Sequence, residues 1–220
     1  MKKLYLLALT LGLLTLSCSD KLAPLQKDAL PPTVVTQPLP HDTDDPAIWI
    51  HPTDATKSVI VGTDKDTDGG LYMYDLKGTI LKKSISLKRP NNVDIAYGLK
   101  IGASTIDIAV TTERETNKIR IFSMPNLEPI DNGGIDVFVG ENERDPMGIA
   151  LYTRPSDGAI FAIVGRKFGP SGTYLWQYEL KDSGNGNVGA ELVRKFGNFS
   201  GKKEIEAIAV DNELGFVYCS

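Results

Sequence analysis

The chain has 220 residues, a length that suffices for one sizeable all-β core or for two small domains. Its 28 acidic and 24 basic residues give a formal net charge of -4, which argues against non-specific nucleic-acid binding because such binding needs a basic face. Two cysteines, Cys18 and Cys219, are too few for a disulfide framework, and we expect Cys219 to be a buried free thiol rather than a nucleophile.

The first 18 residues have the pattern of an export signal. Lys2 and Lys3 precede an apolar run, 4–16, that is too short for a comfortable membrane span. The run ends L-T-L-S-C, which resembles the lipobox of bacterial lipoproteins, so we expect Cys18 to carry lipid after removal of residues 1–17. The alternative is an ordinary secretory signal that is cleaved nearby. Either way we expect an exported protein, held to the outer membrane or cell surface by lipid alone, or otherwise periplasmic or secreted.

Residues 19–40 contain five prolines and little apolar periodicity, which predicts an extended tether. Residues 41–220 contain no convincing helical stretch. They consist of short β-like runs separated by Gly, Asn, Asp and Pro, and we therefore predict a single β domain over this range.

The β-like runs recur in sets of four. The predicted strands are 46–50, 58–62, 70–76 and 79–87, then 92–97, 106–112, 118–123 and 135–139, then 148–152, 160–165, 173–180 and 191–196, and finally 205–211 and 216–219. Four strands at a period of about 45–60 residues are typical of β-propeller blades, although a β-sandwich has a similar strand count. Because a propeller must close to hide its sheet edges, three blades and the start of a fourth predict a partial propeller from a longer protein.

Polar residues stand at or near the start of the first strand in every set. They are Asp44 and Asp45, then Asn91, Asn92 and Asp94, then Asp145, and then Glu204 and Glu206. The innermost strands of a propeller converge on its axis, so carboxylates from distant parts of the sequence are expected to meet there. Asp44 and Asp45 repel each other, and a divalent cation such as calcium is the expected neutraliser of several oxygen ligands.

A separate acidic loop follows the second predicted strand. Asp64, Asp66, Asp68, Gly69 and Asp75 fit the spacing D-x-D-x-D-G-x5-D, which is close to a calcium-binding loop. The flanks are β-like rather than helical, and Asp replaces the usual terminal Glu. The alternative is an acidic hairpin turn with both glycines of 69–70 at positive φ, and the sequence leaves the two interpretations open.

Several stretches together resemble one family, the bacterial β-propeller or alkaline 3-phytases. The matching segments are D-D-P-A-I-W (44–49), T-D-K followed by G-G-L-Y-M-Y-D-L-K-G (63–78), N-N-V-D-I-A-Y (91–97), the E-R of T-T-E-R (111–114), G-I-A-L-Y (148–152), W-Q-Y-E-L (176–180) and E-A-I-A-V-D-N-E-L-G-F-V-Y (206–218). The resemblance implies a six-bladed propeller that uses several calcium ions. It also implies removal of phosphate from phytate, myo-inositol hexakisphosphate, held as its calcium salt. We expect a monomer.

The resemblance also implies which residues bind metal and phosphate. The implied calcium ligands are Asp44, Asp45 and Glu206 in the cleft, and the carbonyls of Pro46 and Val93 with Asp94 at a nearby structural site. Hydrogen bonding at the strand end is the alternative role for Asp94. The implied catalytic set is Lys65, Arg114, Lys167 and Glu206, in which the three cations bind phosphate. Arg166 is an alternative to Lys167, and Met147 stands where the family usually has a tyrosine.

Other phosphatase chemistries leave sequence marks that this chain lacks. It has no Cys followed five residues later by Arg, and no R-H-G motif beside His41 or His51. A metal-activated water is therefore the expected nucleophile. Two alternatives stay open at this point: a non-catalytic β-propeller that binds a ligand or partner, and a metal-dependent propeller hydrolase such as a lactonase.

Overall fold

The computed structural model describes residues 27–220, of which Val34–Ser220 form one compact all-β unit. The predicted export signal with Cys18 and the first part of the predicted tether lie outside the described residues. Within the described range, no helix has the length and apolar character that crossing a membrane requires. The helical turns there are short 3-10 segments, Ala55–Lys57 and Arg114–Thr116.

The strands form consecutive antiparallel sheets, each in chain order from its first strand outward. The first sheet contains β1 (Thr43–Trp49), β2 (Val59–Asp64), β3 (Gly70–Tyr74) and β4 (Ile80–Lys83); the second contains β5 (Pro90–Ile101), β6 (Ser104–Glu113), β7 (Lys118–Met124), β8 (Glu128–Pro129) and β9 (Ile135–Asp136); the third contains β10 (Pro146–Thr153), β11 (Ile160–Arg166), β12 (Leu175–Gly184) and β13 (Asn187–Phe196); and β14 (Ile208–Asp211) pairs with β15 (Phe216–Cys219). Every predicted run overlaps a strand, and the sheet order is that of propeller blades.

The outermost strand of the second sheet is shorter than predicted. The sequence predicts one strand over 135–139, but only Ile135 and Asp136 pair with β7, and β8 pairs with the other end of β7. The strand ends because Phe138 takes a left-handed φ of 55°, a conformation that cannot continue a strand, while its ring is fully buried. The outer edge of this sheet is therefore split into two short strands.

The sheets pack face to face through apolar side chains. Trp49, Leu71 and Phe122 belong to one cluster shared by the first and second sheets, and Ile108 and Trp176 belong to another shared by the second and third. The first strands β1, β5, β10 and β14 lie next to one another in this order. The burial of these large side chains is the main stabilising contribution, at about 1.5–3 kcal/mol for each one fully buried.

The end of the predicted tether contacts the first sheet. The backbone N–H of Gln37 donates to the carbonyl of Gly78 at 2.8 Å, and its side-chain Oε1 accepts from the N–H of Ile80 at 2.7 Å. Gly78 has a φ of +82°, and a Cβ there would lie 2.8 Å from the Cα of Thr36. The compact unit therefore begins at Val34 rather than at the predicted residue 41.

A β-bulge occurs at the same place in the first strand of each of the three full sheets. The pairing register shifts by one residue between Thr43 and Pro46, between Pro90 and Val93, and between Pro146 and Ile149. Bulges re-aim side chains and are common beside functional sites. In the first two sheets they occur within the polar stretches that the sequence analysis identified, and in the third sheet the bulge directly follows Asp145.

Candidate active site

An acidic cavity of about 1120 Å³ lies along the four first strands. All six predicted metal-ligand residues line this acidic cavity: Asp44, Asp45, Pro46, Val93, Asp94 and Glu206. Glu204 and Lys203 also line it. The predicted ligands Asp44 and Glu206, which lie far apart in the sequence, are therefore collected around one opening.

Asp45 lies at the bulge of β1 and connects the first two sheets. Its Oδ2 accepts from the backbone N–H of Val93 at 2.9 Å, and its own N–H donates to the hydroxyl of Thr63 at 3.0 Å. Burial raises the pKa of the Asp45 carboxyl, the hydrogen bond from Val93 works against this, and the nearby charge of Asp44 raises the pKa further. Deprotonated Asp45 would thus be stabilised by a nearby cation.

Asp94 connects the second and third sheets in a similar way. Its Oδ1 accepts from the N–H of Ile95 and its Oδ2 from the N–H of Leu151, both at 2.7 Å. Burial raises the pKa of Asp94, and these two hydrogen bonds oppose the rise. The hydrogen-bonding role that the sequence left as an alternative for Asp94 is therefore present. Each carboxylate oxygen has two lone pairs, so these bonds do not exclude a metal.

Glu206 enters the acidic cavity just before β14, and Asn91 lies beside it. The Nδ2 of Asn91 donates to Oε1 of Glu206 at 3.3 Å and to Oδ1 of Asn92 at 2.5 Å. Asn91 is fully buried, yet its Oδ1 has no hydrogen-bond partner in the described part of the chain. The sequence analysis noted Asn91 as a polar residue but did not assign it to the site, and the unpartnered oxygen is the signal that identifies it.

Gly148 lets the segment before β14 approach the third sheet closely. It occupies the position in β10 that Asp45 occupies in β1 and Asn92 in β5, one residue before the register resumes. A Cβ on Gly148 would lie 2.3 Å from the carbonyl oxygen of Glu206, which is too close for any side chain. The first two sheets therefore have a polar side chain at this position, and the third sheet has none.

The ligand set fits a hard cation by its chemistry. The candidate donors are carboxylate, amide and carbonyl oxygens, which suit calcium and not zinc. Among residues 27–220, however, no three His, Cys, Asp or Glu side chains come close enough to form a metal site by themselves. A calcium ion here would therefore need carbonyl or amide oxygens as well, as the predicted roles of Pro46 and Val93 require.

The three predicted phosphate-binding cations occupy equivalent places in consecutive sheets. Each is the first residue after the second strand, and its backbone N–H donates to the carbonyl of the residue that precedes the first strand of the same sheet. The pairs are Lys65 with Asp42 at 2.7 Å, Arg114 with Arg89 at 3.1 Å and Lys167 with Asp145 at 2.9 Å. This equivalence depends on the register of strand pairing, so it could not be predicted from the sequence.

The three cations lie outside the acidic cavity lining, and two of them contact acids that line it. The Nζ of Lys65 lies 2.5 Å from Oδ1 of Asp44, and the Nζ of Lys167 lies 3.9 Å from Oε1 of Glu204. Within the described residues, the Arg114 side chain makes no ion pair and is half-buried. The structure thus places Lys65 and Lys167 at the rim of the cavity.

A buried charged residue precedes each of these cations and holds the loop that enters the first strand. The Asp64 carboxylate accepts from the N–H of Asp42 at 3.0 Å, the Glu113 carboxylate accepts from the N–H of Lys88 at 2.8 Å, and the Arg166 guanidinium donates to the carbonyl of Glu143 at 3.1 Å. We call Asp64, Glu113 and Arg166 the strand-end residues. Their side chains are almost completely buried.

The structure excludes Arg166 as the alternative to Lys167. Arg166 is fully buried, pairs with Glu141 at 3.3 Å and lies over the ring of Phe138 at 4.7 Å. It has no surface to offer to a phosphate. Met147 is also buried, and its carbonyl accepts from the hydroxyl of Thr112 at 2.7 Å, so its side chain makes no surface contact in place of the family tyrosine.

The calcium-loop interpretation of residues 64–75 is wrong. Strand β3 separates Asp75 from the other acids, and Asp75 caps the β3–β4 turn by accepting from the N–H groups of Lys77 and Thr79. Asp64 is buried, and its Oδ2 lies 2.8 Å from Nδ1 of His41. The segment is a hairpin turn, as the alternative interpretation predicted, but neither Gly69 nor Gly70 has a positive φ. Glycine is required at position 69 because a Cβ there would lie 1.9 Å from the carbonyl oxygen of Asp64.

Cys219 is exposed rather than buried, which corrects the expectation from the sequence. The apolar run around it predicted burial, but in β15 its neighbours Phe216 and Tyr218 are exposed as well. Desolvation by neighbouring groups raises the pKa of the Cys219 thiol, so the thiol is protonated at neutral pH. That Cys219 is not a nucleophile stays a prediction.

Two comparisons with known proteins identify the same family. The family model described as Phytase matches residues 5–220. The 3-phytase of Bacillus subtilis (strain 168) is 32% identical over 183 residues, which cover 80% of this chain and 44% of that protein. The chain therefore spans less than half the length of this curated relative.

Two further matches are weaker. Secretin XcpQ of Pseudomonas aeruginosa is 32% identical over 92 residues, which cover 41% of this chain and 14% of that protein. Among solved structures, Kuenenia stuttgartiensis hydrazine synthase superposes with a TM-score of 0.39 and 11% identity, over 80% of this chain and 61% of that one. Neither match bears on the fold or the site.

Proposed function

Because the chain belongs to the phytase family, we propose that its protein is a calcium-dependent 3-phytase that releases phosphate from myo-inositol hexakisphosphate. The observation that carries the proposal is the acidic cavity with Lys65 and Lys167 at its rim and Arg114 in the equivalent place between them. Oxygen donors and cations are both needed, because one set holds metal and the other holds phosphate.

The residues divide the work by their chemistry. Asp44, Asp45 and Glu206, with Asp94 and the carbonyls of Pro46 and Val93, would hold calcium. When bound, calcium supplies an activated water and neutralises phosphate oxygens. A protein with a net charge of -4 then has a local positive field for a still more anionic substrate.

Lys65, Arg114 and Lys167 would orient the phosphate groups. Arg114 offers a planar fork that donates two parallel hydrogen bonds to a phosphate, whereas a lysine acts as a compact point charge. The cations belong to three successive sheets, so they are spread over an arc rather than focused on one point. Such a spread suits a ring that carries several phosphates.

We also propose that the fold is a β-propeller of six blades, completed by sheets additional to those described here. The blade-like order of the sheets and the adjacency of β1, β5, β10 and β14 support this. Export and lipid attachment at Cys18 are proposed from the sequence pattern alone. Mass spectrometry of the mature N-terminus would test them: a diacylglyceryl group on Cys18 is expected, and an unmodified cleaved terminus would contradict it.

The test of function is phosphate release from calcium phytate by the full-length protein, with and without a calcium chelator. We expect release that the chelator abolishes and added calcium restores. No release under any condition would favour a non-catalytic binding module. Turnover of lactones without release of phosphate would favour a lactonase.

A further inference from the structure

Arg89 connects the two loops that carry Lys65 and Arg114. Its backbone N–H donates to the carbonyl of Asp66 at 2.9 Å, and its own carbonyl accepts from the N–H of Arg114 at 3.1 Å. It lies directly before the first residue of β5, Pro90. The Arg89 backbone is therefore fixed between two of the residues proposed to bind phosphate.

The equivalent residues in the neighbouring sheets have the opposite charge. The position before the first strand is Asp42 in the first sheet and Asp145 in the third, and each accepts from the N–H of a lysine as Arg89 accepts from the N–H of Arg114. An acidic residue there lowers the local positive charge. At this position only the second of these three sheets has an arginine, so the position adds positive charge there and negative charge in the other two sheets.

Arg89 also has a backbone conformation that favours glycine or asparagine. Its φ is 58°, in the left-handed region that bulky side chains rarely adopt. Residues other than glycine in this region cost energy and cluster at sites where function requires the side chain. The turn would be satisfied better by Asn or Gly, so the turn itself does not explain the arginine.

The charge of Arg89 is not neutralised within the described residues. Its Nε is buried without a hydrogen-bond acceptor, and the side chain makes no ion pair in residues 27–220. Two acids of the adjoining segment, Glu113 and Glu115, are engaged elsewhere. Glu113 accepts from the N–H of Lys88 and pairs with Arg120 at 3.6 Å, and Glu115 accepts from the hydroxyl of Thr67 at 2.7 Å.

We propose that Arg89 and Arg114 together form a phosphate subsite between the first and second sheets, with Arg89 as an additional substrate-binding residue. This rests on the proposed function for its substrate, although the chemistry requires only a phosphate group. Two guanidinium groups without carboxylate partners can donate four hydrogen bonds in forked pairs to phosphate oxygens.

The test compares substitutions at Arg89 by binding of inorganic phosphate to the calcium-loaded full-length protein, measured by isothermal titration calorimetry. Arg89→Asn removes the charge but accepts the left-handed backbone, and we expect phosphate to bind about tenfold more weakly. Arg89→Lys retains the charge without the fork, and we expect an intermediate loss. Lys88→Gln is the matched control, because it removes an exposed neighbouring charge, and we expect binding within about twofold of the wild type.

Two results would overturn the proposal. One is phosphate binding by Arg89→Asn that equals the wild type, and the other is an equal loss in Lys88→Gln, which would indicate a general electrostatic field. Kinetics with calcium phytate separate this from the proposed function. We expect KM to rise in Arg89→Asn with kcat little changed. If the wild type releases no phosphate, the proposed function fails while the calorimetry still decides the subsite.

Discussion

The strand-end residues and the cations that follow them differ in what the fold allows. The strand-end residues are buried and vary in charge, being Asp64, Glu113 and Arg166, whereas the next residues are half-buried and all positive, being Lys65, Arg114 and Lys167. Either sign serves at the buried position as long as it bonds the incoming loop. The constant positive sign at the next position fits the phosphate-binding role proposed for these residues, and the two positions should separate stability from activity.

Among the substitutions that test this comparison, Arg166→Ala should have the largest effect, and the effect should be on stability. The substitution removes the hydrogen-bond donor to the Glu143 carbonyl and opens a cavity beside Phe138. We therefore expect the free energy of unfolding to fall by about 3–5 kcal/mol. Lys167→Ala should cost at most about 1 kcal/mol, because its contact with Glu204 is partly exposed. Urea denaturation measures both, and equal losses would contradict the division.

Arg114→Ala should lower activity without lowering stability. We expect a loss of about 2–4 kcal/mol in transition-state stabilisation, from kcat/KM with calcium phytate, because a donor to the developing phosphate charge is removed. The free energy of unfolding should change by no more than about 0.5 kcal/mol. Lys100→Ala, an exposed cation elsewhere on β5, is the control for general charge. An unchanged rate in Arg114→Ala would remove this residue from the site.

The pair of His41 with Asp64 should show a smaller effect that depends on pH. The hydrogen bond to Asp64 raises the pKa of His41 above 6.5. A group with a raised pKa in the folded state contributes its stability fully below the unfolded value and loses it as pH rises through the folded value. The difference in unfolding free energy between the wild type and His41→Gln should therefore be larger at pH 5.5 than at pH 8.5, and a difference independent of pH would exclude the charged pair.

The double variant Asp66→Asn and Asp68→Asn should have no effect on metal content. The turn uses Asp66 to accept from the N–H of Asp68, an interaction that asparagine also makes. We expect the same number of calcium ions per molecule by isothermal titration as in the wild type. A variant with one ion fewer would restore a metal site to this loop.

Much of the fold could be predicted because it depends on local pattern. The runs rich in Val, Ile, Phe and Tyr became strands, with the sheet order expected from their recurrence. The collection of Asp45, Asp94 and Glu206 around one cavity also followed, since first strands converge in such a fold. Those inferences need only the identity and order of the elements.

What could not be predicted depends on register and on contacts between distant residues. The calcium-loop interpretation of residues 64–75 did not include the five-residue strand β3. At about 3.3 Å per residue, this strand carries Asp75 about 16 Å from the turn that contains Asp66 and Asp68. The unpartnered Asn91 oxygen and the position of Arg89 between two loops are visible only once the sheets are paired. Exposure of Cys219 likewise depends on what covers β15, which composition does not specify.

Gly148 breaks the repeat at the point of tightest packing. Where two other sheets present a carboxylate or an amide, this one presents bare backbone, and the carbonyl of Glu206 occupies the space that a side chain would fill. An array that could have had near rotational symmetry is therefore lopsided. A ligand whose arms are chemically alike would meet unequal surroundings at each arm, so one orientation becomes preferred without any contact that distinguishes the arms themselves.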